Sequence, residues 1–174
     1  RKHVTLELGG NAAVVVCADW ASDEDLDHAA RRIATFANYQ AGQSCISVQR
    51  VLVDAAVHDR FLPRLVAAVQ EQRTGDPWDE RTDVGPLIDE KNAERVVEWV
   101  EEARAKGAVV RTGGTRDGAH VAPTVLTDVP ADTRLASEEV FGPVLAVSAA
   151  DGVDALLAAA NDTRFGLQAG VFTR

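Results

Sequence analysis

Apolar runs and amphipathic stretches alternate along the chain. Ala12 to Cys17 reads as a buried strand. Ser22 follows as an N-cap, with Asp25 three residues on in capping-box fashion, and Leu26, Ala29, Ala30, Ile33, Ala34 and Ala37 recur at helical spacing. A helix is therefore predicted from Asp23 to about Asn38, delivering the chain to Gly42 and Cys45. Val48 to Val53 is a short β-rich run, expected to be a central strand. Helical spacing returns at Phe61, Leu62, Leu65, Val66 and Val69. Arg73 to Leu87, punctuated by Gly75, Pro77, Gly85 and Pro86, reads as a loop. Asp89 is placed to cap a helix that buries Val96, Val100 and Ala103 and ends near Gly107. Ala108 to Arg111 reads as a strand, Gly113-Gly114 as a turn, and Val121 to Leu126 as the lead into another extended segment. Pro143 to Val147 is strand-like. Asp151 is expected to cap a last helix with Val153, Leu156, Leu157 and Ala160 facing inward.

Alternation of strands and helices predicts an α/β, three-layer domain with a largely parallel central sheet. The 174 residues suit one domain with room for a core. The chain opens in a strand-like run, Val4-Thr5-Leu6-Glu7-Leu8, and closes on another, Ala169 to Thr173. A piece of a longer protein, cut at both ends, is therefore expected.

Composition narrows the function classes. Hydrophobic residues make up 46% and charged residues 26%, as in ordinary globular proteins. The net charge of −9, with cations scattered, argues against a nucleic-acid partner. No apolar run reaches membrane-spanning length, and no signal peptide is visible. Two cysteines make no disulfide framework, which suits a reducing, cytoplasmic setting. His3, His28, His58 and His120 are dispersed, so no metal site is expected. No Gly-x-Gly-x-x-Gly or Walker-type loop is present to cradle phosphates.

The candidate chemistry lies in two glycine-flanked segments. In Gly42-Gln43-Ser44-Cys45, glycine permits a tight turn whose exposed N–H groups would favour a thiolate, and the Cys45 amide could help hold an oxyanion. Cys17, by contrast, closes an apolar strand and reads as a small buried hydrophobe. In Leu6-Glu7-Leu8-Gly9-Gly10-Asn11, Glu7 is either an edge-strand charge or a base turned into a cleft by a bend at the two glycines; burial there would raise its pKa. Two further segments stand out. Glu138-Glu139-Val140-Phe141-Gly142-Pro143 could aim a carboxylate at a ribose hydroxyl, or could be a plain loop before a strand. Asn161-Asp162-Thr163-Arg164-Phe165-Gly166-Leu167 reads as a helix exit and turn.

These four segments, in this order, resemble the motifs of the aldehyde dehydrogenase superfamily, and the resemblance runs over the whole chain. It implies the catalytic domain of an NAD(P)-dependent enzyme. Cys45 would attack an aldehyde to give a thiohemiacetal, oxidation would leave a thioester, and Glu7 would activate the water that hydrolyses it to a carboxylic acid. Glu139 would hold the nicotinamide ribose, Phe141 would pack near the ring, and Leu8 would approach it through its backbone. NAD or NADP would be bound mainly by a nucleotide-binding domain that this chain lacks. The resemblance therefore implies that the fragment alone is inactive as a dehydrogenase and that the parent is a homo-oligomer. Two departures are visible: the stretch between Glu7 and Cys45 is a few residues longer than usual, around Trp20 to Asp23, and Asn11 stands where lysine is commoner. Retention of Glu7 favours hydrolysis over transfer to CoA, and Cys45-Ile46-Ser47-Val48-Gln49-Arg50 is similar to enzymes of small polar aldehydes. The alternatives are a cysteine-dependent esterase using Cys45 and Glu7, and a non-catalytic assembly module.

Overall fold

β-branched and alanine-rich runs form the strands, and the helices between them carry one apolar stripe each. The structure is a computed structural model that describes residues 2–6 and 8–174. Its elements in chain order are β1 (Ala12–Val16), α1 (Asp23–Asn38), β2 (Val48–Asp54), α2 (Ala55–Gln70), α3 (Glu90–Ala105), β3 (Val109–Thr112), β4 (Arg116–Asp117), β5 (His120–Val121), β6 (Thr124–Thr127), α4 (Arg134–Ser137), β7 (Val144–Ala150), α5 (Gly152–Asn161) and β8 (Ala169–Phe172). Among the described residues the main sheet has the order β3-β6-β7-β2-β1-β8. Every neighbouring pair in it is parallel except β3 with β6. β4 and β5 form a separate antiparallel pair.

The sheet is covered on both faces. Val14, Val16, Val51, Val53, Leu145 and Val147 pack with Leu26, Ile33, Phe61 and Leu65 of α1 and α2. On the opposite face Ala13, Val15 and Leu52 meet Leu156 of α5. A further cluster gathers Val96 and Val100 of α3 with Leu126, Leu135, Val140 and Val144. Burying a side chain of this size contributes about 1.5–3 kcal/mol, so these clusters dominate the fold's stability. β1 and β2 are buried at nearly every position, as a central parallel pair requires.

The predicted caps of α1 and α3 are present. Ser22 Oγ accepts from the Asp25 amide while the Ser22 amide donates to Asp25 Oδ2, and Asp89 Oδ1 accepts from the Asn92 amide. Other expectations need correction. Leu8 and residues 2–6 are irregular rather than strand, and Val4, Leu6 and Leu8 are exposed. In α5 only Leu156 is buried, while Val153 and Leu157 face outward, because the helix rests on the sheet by a stripe narrower than its apolar sequence. Asp151 occupies the N-cap of α5 but makes no side-chain cap bond; Asp54 Oδ2 accepts from the Gly152 amide instead. The same Asp54 caps α2 through Oδ1 and the Ala56 amide, so α2 starts directly after β2, well before Phe61.

Candidate functional site

Each of the four singled-out segments is followed directly by a parallel strand. The glutamate segment leads into β1, the thiol segment into β2, Glu138 to Pro143 into β7, and Asn161 to Gln168 into β8. These strands are neighbours in the sheet, in the order β7-β2-β1-β8. Because they are parallel, the four segments meet at one sheet edge, the amino ends of the strands. The usual ligand position in open α/β sheets is the carboxyl ends.

Glycines let the segments touch. Gln40, Ala41 and Gly42 all have positive φ, at 52°, 56° and 72°, which turns the chain sharply before the thiol. A Cβ on Gly42 would lie 2.2 Å from the Gly142 carbonyl oxygen, so the thiol turn and the Glu139 loop are packed backbone to backbone. A Cβ on Gly10 would lie 1.9 Å from the Cys45 carbonyl oxygen. The Gly10 amide donates to Glu139 Oε1 at 2.9 Å, and a Cβ on Gly9 would come within 2.9 Å of Glu139 Oε2 and 3.5 Å of the Phe165 ring. The thiol residue's backbone and the Glu139 carboxylate therefore flank one glycine pair.

Cys45 is half-buried, and Tyr39 Oη donates to Ser44 Oγ beside it at 2.7 Å. Gln43 ties the turn to the end of the long loop: its Nε2 donates to the Pro86 carbonyl and its Oε1 accepts from the Ile88 amide. Glu139 is half-buried. Phe141 adopts a left-handed conformation, φ 51°, and is 42% exposed. Leu8 is 83% exposed, next to Gly9. Glu7 lies outside the described residues. Cys17 is on the far side of β1 in sequence, buried with Ala13 and Val15. Burial pushes its thiol pKa up, with the charge of Asp19 adding to the effect.

Polar side chains missed in the sequence reading hold the segments together. Arg50 of β2 joins the glutamate segment to the end of α5: Nε and one terminal nitrogen donate to the Asn11 carbonyl, and the terminal nitrogens also reach the carbonyls of Ala159 and Ala160. Burial holds the Arg50 pKa below its ordinary value, with Asp162 opposing. Asn11 Nδ2 and Gln49 Nε2 both donate to the Glu138 carbonyl. Arg95 donates to the Val140 carbonyl, and Arg164 pairs with Glu138 while stacking over Phe165. The available signal was the Gln49-Arg50 pair itself, two polar residues inside an otherwise apolar central strand.

Cavity size does not locate this site. A groove of about 920 Å³ runs along Arg50, Arg111, Thr127, Ser148 and Asn161, and neither Cys45 nor Glu139 lines it. A smaller cavity of about 270 Å³ lies between Asn11, Arg50, Phe165 and Gln168. Among the described residues no cluster of His, Cys, Asp and Glu could hold a metal ion, and no helix is long and apolar enough to cross a membrane.

The sequence pattern of the aldehyde dehydrogenase family matches residues 1–174. The chain belongs to that family. It is similar to 3-sulfolactaldehyde dehydrogenase of Priestia aryabhattai, at 44% identity over 99% of this chain and 35% of the relative. Its fold is similar to aldehyde dehydrogenase 21 of Physcomitrella patens, solved in complex with the reaction product succinate, with a TM-score of 0.92 and 41% identity over 97% of this chain and 34% of that one. It is also similar to an NAD-dependent aldehyde dehydrogenase of Sinorhizobium meliloti, with a TM-score of 0.89 and 40% identity over 96% of this chain and 33% of that one. Other solved relatives are named for NADP. The chain thus spans about a third of the length of the aldehyde dehydrogenases it matches. The α/β architecture expected from the sequence agrees with these structures.

Proposed function

We propose that the chain is the thiol-bearing catalytic domain of an aldehyde dehydrogenase that oxidises a small polar aldehyde to a carboxylic acid with NAD or NADP. The observation that carries the reading is the placement of the Cys45 backbone and the Glu139 carboxylate on the same glycine pair. The residues present fit a nicotinamide ribose. Glu139 accepts a bond from Gly10 through Oε1, an ionised carboxylate has lone pairs left for hydroxyl donors, and Gly9 brings no side chain to cover Oε2. A bound nicotinamide supplies the hydride acceptor for the oxidation.

This chain's own residues do the rest. The Cys45 thiolate attacks the aldehyde carbon, forming the carbon–sulfur bond of a thiohemiacetal, and the Cys45 amide helps hold the oxyanion. Oxidation leaves a thioester on Cys45. Glu7 takes a proton from water, the hydroxide adds to the thioester carbon, and the carbon–sulfur bond breaks to release the acid and the thiolate. Relatives named for 3-sulfolactaldehyde, betaine aldehyde and lactaldehyde, and one holding succinate, support a small polar substrate, while others are named for vanillin, an aromatic aldehyde. The nucleotide's adenosine half falls to another part of the parent chain, and the homo-oligomer and cytoplasmic setting belong to that whole protein.

The test is aldehyde oxidation by the full-length parent with Cys45→Ala, followed by NAD(P)H absorbance, with the isolated 174-residue chain alongside. The expected result is activity in the parent and none in either of the others. Turnover by the Cys45→Ala parent would overturn the proposal.

A further inference from the structure

Gln49 is 6% exposed in β2, four residues beyond the thiol. Its amide is fully engaged with one short segment. Nε2 donates to the Glu138 carbonyl at 2.7 Å and to the Leu135 carbonyl at 3.2 Å, and Oε1 accepts from the Val140 amide at 3.0 Å. The Glu138 carbonyl and the Val140 amide belong to the two peptide units on either side of Glu139. A side-chain amide here does what a neighbouring strand would do, pairing both peptide units of one residue.

Glutamine is the side chain that satisfies this geometry. It supplies two donors and an acceptor from one planar group. Glutamate would set an acceptor against two carbonyl oxygens, and an apolar residue of equal length would take this partner from the Leu135 carbonyl and the Val140 amide and leave the Glu138 carbonyl to Asn11 alone. The strand that carries Cys45 thus reaches out and clamps the loop that carries Glu139. Arg95 on the Val140 carbonyl and Asn11 on the Glu138 carbonyl brace the same loop from α3 and from the glutamate segment.

We propose that Gln49 is a positioning residue that fixes the Glu139 carboxylate relative to Cys45, so that the cofactor ribose and the thiol are held in register. The proposal rests on the reading of Glu139 as the ribose ligand. Gln49 touches neither substrate nor cofactor and acts through the two peptide units of Glu139.

The test uses the full-length parent enzyme with Gln49→Met, Glu139→Gln and the double variant, each checked for its melting temperature. Cofactor dissociation constants come from titration of NAD+ and NADP+ in the absence of aldehyde, and amide exchange of the 138–141 segment is followed by mass spectrometry. Glu139→Gln and Gln49→Met are each expected to weaken cofactor binding about tenfold, and the double variant no more than either alone, since both act through one carboxylate. Exchange of the Val140 amide is expected to rise about tenfold in Gln49→Met and to stay near the parent rate in Glu139→Gln. Should Gln49→Met fail to fold, Gln49→Asn, which keeps the amide but is one methylene too short to reach the 138–140 segment, takes its place with the same expectations. If Glu139→Gln weakens binding while the Gln49 variant does not, or if the two effects add, the positioning role is overturned. If Glu139→Gln leaves binding unchanged, the ribose reading of Glu139 fails and the proposal fails with it.

Discussion

The peptide units of Gly10 and Cys45 lie in direct contact, so that a Cβ on Gly10 would stand 1.9 Å from the Cys45 carbonyl oxygen. No real Cβ sits that close to a backbone oxygen. The glutamate segment and the thiol segment are therefore packed against each other at a distance only glycine permits.

Gly10→Ala must push β1 away from the start of β2. The expected cost is about 1–3 kcal/mol of stability, the usual range for overpacking a tight site. Gly166→Ala is the matched control: nothing lies within 4 Å of a Cβ there, and the change is expected to stay within about 1 kcal/mol of neutral. Urea unfolding of both variants checks the difference.

The two cysteines should differ in reactivity. Cys17 is 8% exposed and its thiol pKa is raised, whereas Cys45 is half-buried in the loop before β2. Iodoacetamide at neutral pH, followed by peptide mapping of the native protein, is expected to label Cys45 at least about tenfold faster. The raised value also fixes a sign. A thiol whose folded pKa exceeds its unfolded value, near the ordinary 9.0, favours the folded state while it is protonated. That contribution is lost as pH rises through the folded value. Cys17→Ala is expected to flatten the loss of stability in alkaline unfolding curves.

Arg50 ties Asn11 to the last carbonyls of α5, and its bonds require a planar fork. Arg50→Lys keeps the charge and loses the fork, and is expected to cost about 1–3 kcal/mol. It should also speed proteolysis in the Asn161 to Gln168 loop, which limited digestion with mass mapping reads directly.

Much of this architecture was legible along the chain, for a physical reason. Ser22 with Asp25, and Asp89 before α3, announce helix starts because their side chains satisfy N–H groups no other local partner can reach. The buried runs of β1 and β2 read as strands because both their faces are covered. The convergence of four segments was also implicit, since each precedes a strand and parallel strands align their starts. What stayed hidden depends on contacts distant in sequence. The Gln49 bonds to Glu138 and Val140, and the Arg50 bonds to Ala159 and Ala160, join residues far apart in the chain. The outward turn of Val153 and Leu157 is likewise set by how α5 seats on the sheet, which helical spacing alone does not determine. The short α4 and the β4–β5 pair fell in stretches too brief to show a period.

On the proposed reading, Cys45 carries the acyl group and Glu7 drives its release. Intact-mass analysis of the full-length parent carrying Glu7→Gln, quenched after mixing with aldehyde and NAD(P)+, tests it most directly. One equivalent of NAD(P)H per chain, no further turnover, and an added acyl mass that maps to Cys45 are expected. Full turnover by that variant, or an acyl group on any other residue, would contradict it.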